Sequence, residues 1–139
     1  MIRRQKRTTY FGVLLVGLIF LAAAVGGLVY MYNFSAGANT VTLYNSQIDD
    51  IRLAEMINSG EIPPSTVALD LGDNEITDLS PLEALRNLKY LSLVNNRVAD
   101  LSPLESLKVL KNLYLSGNPL TQDQIDGLRS VLPNCMIDY

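Results

Sequence analysis

Three consecutive blocks of the chain align without a gap, and a repeat of this length restricts the fold more than any other feature of the sequence. They are LDLGDNEITDLSPLEALRNLKY from Leu69, LSLVNNRVADLSPLESLKVLKN from Leu91 and LYLSGNPLTQDQIDGLRSVLPN from Leu113, each starting 22 residues after the one before. Every block opens L-x-L-x-x-N-x-(I/V/L), with Asn74, Asn96 and Asn118 in register. In a short strand alternate side chains point to opposite sides, so Leu69 and Leu71, Leu91 and Leu93, and Leu113 and Leu115 face one interior. Ile76, Val98 and Leu120 fill the same interior after a turn. That turn would strand backbone groups inside the stack, each costing about 1–3 kcal/mol if unpaired. An Asn amide carries both donors and acceptors for them, so the three asparagines are read as structural.

The return leg is also spelled out. Ser80-Pro81-Leu82-Glu83 and Ser102-Pro103-Leu104-Glu105 match a capping box with Pro at the first helical position. Leu79, Leu82, Leu85 and Leu88 form an apolar stripe, repeated by Leu101, Leu104, Leu107 and Leu110. A single strand–turn–helix coil cannot bury its apolar face, but stacked coils share a core.

This L-x-L-x-x-N-x-I-x-D-L-S-P-L spelling resembles the 22-residue class of leucine-rich repeat in internalin-type surface proteins of Gram-positive bacteria, from about Thr66 onward. The resemblance implies an α/β fold, a short right-handed leucine-rich-repeat solenoid of about three coils with helical caps, and a binding role. It names no ligand. Residues 45–65 are expected to be the N-terminal helical cap, with Ser46 as N-cap and Ile48, Ile51, Ala54 and Ile57 on one side. Residues 66–139 form the repeat domain. Thr121-Gln122-Asp123-Gln124 is a further capping box, and Ile125, Leu128, Val131 and Leu132 give its helix an apolar side.

Ahead of the repeats lies a second constraint. No charged residue occurs between Arg7 and Asp49, and Phe11 to Tyr32 is apolar throughout. As a helix at ~1.5 Å per residue this run spans about 33 Å, enough for a hydrocarbon core of ~30 Å. The sequence thus predicts one N-terminal transmembrane helix over residues 11–32, behind a basic tail (1–10) and ahead of a flexible linker (33–44). Tyr10, Tyr30 and Tyr32 fall at its ends, where amphipathic rings favour the headgroup layer. Arg3, Arg4, Lys6 and Arg7 place the N-terminus in the cytoplasm and the repeats outside it. The competing reading is a secretory leader cleaved after Ala38, although signal h-regions are usually about 7–15 residues.

Apart from those four bases, the chain holds 7 basic and 14 acidic residues, a balance that disfavours nucleic acid. Without His, the lone Cys135 lacks the usual base for a nucleophile, and one cysteine cannot form an intrachain disulfide. Asp70, Asp73, Asp78 and Asp100 lie where solvent or a helix N-terminus favours ionisation, unlike the raised carboxyl of a hydrolytic pair. No phosphate loop, metal or cofactor motif is present, so the chain is read as a binding protein and not an enzyme.

Strand residues between the inward leucines line the concave face, where solenoids bind partners. They make three rows: Ala68, Tyr90 and Asn112; Asp70, Ser92 and Tyr114; Gly72, Val94 and Ser116. Tyr90 and Tyr114 are the expected anchors, since Tyr offers large area at low entropy cost. The expected function is a membrane-anchored extracytoplasmic module that engages a protein, or a glycan, through this face. The alternative is a structural subunit of a membrane complex, with the transmembrane helix as the interacting element.

Overall fold

The computed structural model describes residues 18–25, 28–35 and 38–139. Seven strands form one sheet in chain order: β1 (Leu18–Val25), β2 (Leu28–Ser35), β3 (Ala38–Thr42), β4 (Thr66–Asp70), β5 (Tyr90–Ser92), β6 (Asn112–Tyr114) and β7 (Met136–Asp138). From β3 onward every pairing is parallel. Parallel neighbours need a crossover between them, and the return leg of each coil supplies it.

Register follows the repeat. Leu69, Leu91 and Leu113 pair across β4, β5 and β6, with Val41 and Ile137 continuing that line on either side. All five are buried, as are Leu71, Leu93 and Leu115. Ile76, Val98 and both leucine stripes of the return legs are buried beside them, forming one core.

The return legs of the coils that start at Leu69 and Leu91 are 3-10 helices, Ser80–Ala84 and Ser102–Ser106. A leucine every third residue suits three residues per turn, whereas an α-helix would rotate the fourth leucine away. The capping boxes expected at Ser80 and Ser102 do not form, because neither side chain caps its helix. The preceding aspartates do that work: Ser80 N–H donates to Asp78 at 2.8 Å and Ser102 N–H to Asp100 at 2.9 Å. The box at Thr121 is present and starts the α-helix of the last coil, Gln122–Val131.

One further expectation needs correction, the flexible linker over residues 33–44. Residues 38–42 of it are strand β3, and Val41 and the following Leu43 lie inside the core. Val41, Leu43 and Ile48 take the positions that Leu69, Leu71 and Ile76 take in the next coil, so the solenoid begins one coil earlier. With β7 at the other end, five parallel strands replace the expected three. The helix of this first coil, α1 (Asp50–Asn58), is capped by Asp49 rather than Ser46. Leu53, Met56 and Ile57 form its buried side, and Ile51 is 72 % exposed.

The apolar run is described only in part. Of Phe11–Tyr32, residues 11–17, 26 and 27 lie outside the described residues, and the rest is set in β1 and β2, which pair antiparallel. Among the described residues no helix is long and apolar enough to cross a membrane. Strand pairing satisfies peptide groups through a neighbouring segment, where a helix satisfies them internally; lipid excludes an open strand edge.

Candidate concave binding face

The asparagines hold the sheet's trailing edge in place. Asn96 receives the amide N–H of Ile76, one coil back, and donates to the carbonyls of Leu71 and Leu93. Asn118 does the same with Val98, Leu93 and Leu115. Asn74 reaches into the first coil, accepting from Ser46 and Ile48 N–H and donating to Leu43 and Leu71 carbonyls. Each amide thus locks two successive coils in register, which fixes how the outward residues line up.

Just before each of these positions the backbone turns left-handed: Asn45, Asp73 and Asn95 have φ of 49°, 53° and 53°, and Gly117 of 78°. Asn and Asp tolerate this conformation better than most residues, and Gly adopts it freely. The turn ends each strand and exposes a ladder of short polar side chains. Asn95 Nδ2 donates to Asp73 at 2.6 Å. Together with Gln47, Glu75 and Arg97 they line an open groove of about 480 Å³ along the rim.

On the face itself the structure brings the sequence-derived rows together in the expected register. Ala68 stands beside Tyr90 and Tyr90 beside Asn112; Asp70 stands beside Ser92 and Ser92 beside Tyr114. Both rows are longer than the sequence reading made them. Thr40 and Met136 extend the first, and Thr42 and Asp138 the second. Tyr90 is half exposed, while Asp70, Ser92, Val94, Asn112, Tyr114 and Ser116 are partly covered by their neighbours. The two tyrosines are not opposite one another: Tyr90 lies in the first row and Tyr114 in the second.

Tyr44 is the face residue that the sequence reading missed. It follows inward Leu43 as Gly72 follows inward Leu71, so it heads the third row, ahead of Gly72, Val94 and Ser116. Its ring lies over Gly72, where an added Cβ would come within 3.0 Å of it. The Asp73 carboxylate, through its polar interaction with the Tyr44 hydroxyl and then its charge, raises the pKa of that hydroxyl. Reciprocally, Tyr44 and then Asn95 lower that of Asp73. The signal was present in the sequence: Val41-x-Leu43-x-x-Ser46-x-Ile48 keeps the repeat's spacing with Ser in place of Asn.

Other reactive groups have structural surroundings. Burial pushes the Cys135 thiol up against a weaker opposing pull from Lys111. Two hydrogen bonds from Ser102, backbone and then side chain, hold the Asp100 carboxyl below its ordinary range. Among the described residues no group of three or more His, Cys, Asp or Glu is placed to hold a metal ion.

A stack of parallel strands with Asn-bridged turns and short return helices defines a leucine-rich-repeat solenoid. The family model for leucine-rich repeats in two copies matches residues 68–106 and 86–130. Internalin C2 from Listeria monocytogenes is 35 % identical, over 70 % of this chain and 39 % of its own, with a TM-score of 0.58. The chain therefore spans about two-fifths of the length of that internalin. The Drosophila melanogaster SNF/U2A′ complex shows the same fold at 19 % identity, covering 73 % of this chain and 72 % of that one, with a TM-score of 0.54. The Chaetomium Mex67:Mtr2 subunits do so at 21 % identity, covering 70 % and 78 %, with a TM-score of 0.50. No curated protein sequence matches significantly. The chain is an internalin-like leucine-rich-repeat protein. Such domains are protein-interaction modules, and that general function follows from the fold.

Proposed function

We propose that the chain is a membrane-anchored module whose repeats lie outside the cytoplasm and bind a protein through the concave face. The observation that carries the reading is the face itself: Tyr44, Tyr90 and Met136 are each about half exposed on a sheet held rigid by the asparagine bridges. Exposed aromatic and Met side chains on a rigid surface are what protein interfaces favour. Five strands offer a small face, so strong binding needs several copies acting together. A photo-reactive residue at Tyr114 should give a discrete adduct in cells, with the same group at outer-face Glu83 giving none. Equal labelling from both positions would rule out the concave face.

Anchoring is supported by the apolar Phe11–Tyr32 run and the four bases before it. In a bilayer an isolated span must pair its peptide groups within itself, which favours a helix over a hairpin with an open edge. The chain should stay with membranes after an alkaline wash, and protease added outside intact cells should remove the repeats. Recovery in the wash, or full protection of the repeats, would reject this topology.

A further inference from the structure

The concave rows carry a charge pattern that limits what can cover them. Across β3 to β7 the three rows contain Asp70 and Asp138 and no Lys or Arg. The ion pairs among the described residues lie elsewhere: Arg52 with Glu55 and Glu61, Arg97 with Glu75, and Arg129 with Asp126. Asp70 accepts a backbone N–H from Gly72 at 3.0 Å, which leaves its charge uncompensated. Asp138 is exposed. Lys89 and Lys111 stand at the opposite rim, one residue before the outward Tyr90 and Asn112.

The spacing of the two aspartates is specific. They occupy one row, as Asp70, Ser92, Tyr114, Asp138, so three strand steps of about 4.8 Å separate them by roughly 14 Å. An extended peptide lying across the strands advances about 3.4 Å per residue and points alternate side chains the same way. Its residues i and i+4 are therefore about 14 Å apart on one face, and residue i+2 falls between them. Seated here, that middle side chain would rest on Ser92 and Tyr114. A guanidinium is well suited to the flanks, since it pairs with carboxylates and also stacks on tyrosine rings.

We propose that the partner presents an extended segment with two basic residues at i and i+4 and an apolar residue at i+2, crossing the strands from Asp70 to Asp138. This deepens the protein-binding reading above and rests on it. The test uses the full chain in neutral detergent and two labelled peptides of identical composition. One, GSRSLSRSG, has arginines at i and i+4; the other, GSRRLSSSG, has them adjacent. Fluorescence anisotropy should show the first binding about tenfold more tightly, as expected when two charge contacts replace one. The D70N/D138N pair should abolish that preference, whereas E83Q/E105Q, the same charge change on the return legs, should preserve it. Equal binding of the two peptides, binding of neither, or a preference that survives D70N/D138N would overturn the proposal. If the Tyr114 adduct still forms in that event, protein binding stands and only the basic segment falls; loss of both ends the concave-face reading itself.

Discussion

The first coil and the three that follow reach the same cross-section by different spellings. Coils starting at Leu69, Leu91 and Leu113 repeat every 22 residues with an Asn at the sixth position. The first, starting at Val41, takes 28 residues to reach Leu69, has Ser46 at that position, and returns, like the last coil, through an α-helix where the two middle coils use 3-10 helices. The asparagine is dispensable there for a physical reason. Each Asn serves the coil before its own, so the amides of Ser46 and Ile48 are met by Asn74. A first coil has no earlier coil to serve. What every coil shares is the inward pair, the left-handed turn and the next inward residue, and these define a coil more fundamentally than the consensus letters do.

The most direct way to break this comparison is Leu43→Ala. If the first coil is part of the core, removing this fully buried side chain should cost about 2–5 kcal/mol, as other buried leucine truncations do. Urea denaturation of the variant measures it. A flexible tether at residues 33–44 would leave the midpoint unchanged, so an unaltered curve would return Leu43 to the linker.

Asn74→Ala should come next. It removes the acceptor for two first-coil amides and the donor to Leu43 and Leu71 carbonyls, all at a position only 7 % exposed. Each buried group left unpaired costs about 1–3 kcal/mol, and relaxation should hold the total near 3 kcal/mol. Ser46→Ala, at the matching position, should cost less than about 0.5 kcal/mol because its hydroxyl bonds only the nearby Tyr44 carbonyl. Similar losses for the two variants would mean the asparagine bridge does not explain why the first coil can omit it.

These differences also explain what could be read from the sequence. The strands of the middle coils and the pairing of Tyr90 with Asn112 and Ser92 with Tyr114 were legible because a gapless repeat fixes register. The first coil was hidden by six extra residues and the loss of its Asn, although Val41, Leu43 and Ile48 kept their spacing. Placing a helix start at Ser46 put Ile51 on the buried side; the true start after Asp49 turns Ile51 outward and Leu53 inward. The Ser-Pro-Leu-Glu segments were misread as capping boxes because the same letters suit a 3-10 turn held by the aspartate two residues earlier. The apolar Phe11–Tyr32 run has a clear hydropathy signal, but which pairing its peptide groups adopt depends on the solvent around it.

The left-handed turns offer a smaller, sharper contrast. Gly117 and Asn45 occupy equivalent positions in the fourth and first coils, with φ of 78° and 49°. A Cβ at Gly117 would collide with the Asn95 side chain as well as strain the backbone. Gly117→Ala should therefore lower stability by about 1–2 kcal/mol. Asn45 already accommodates a Cβ, so Asn45→Gly should change stability by only a few tenths of a kcal/mol. A thermal melt of both variants separates them, and equal shifts would show that the four turns are not equivalent.

A modest, pH-dependent effect should be found where the first coil's α-helix touches the second coil. Asp50 in the first turn of α1 accepts from the Thr77 hydroxyl and from the amides of Thr77 and Asp78. Partial burial works against its ionisation, but these hydrogen bonds outweigh it and lower the carboxyl below its ordinary range. A carboxyl whose pKa is lower folded than unfolded adds stability above the unfolded value and loses it as pH falls through the folded one. Asp50→Asn should therefore be less stable than the parent at pH 7, and the gap in melting temperature should shrink steadily below about pH 4. The amide of Asn can still accept one of the three hydrogen bonds, which keeps the expected loss at about 1 kcal/mol. A gap that stays constant down to pH 2 would mean that the contact works by shape alone. The α-helix would then be only a longer route back to the sheet, and not a second way of tying neighbouring coils together.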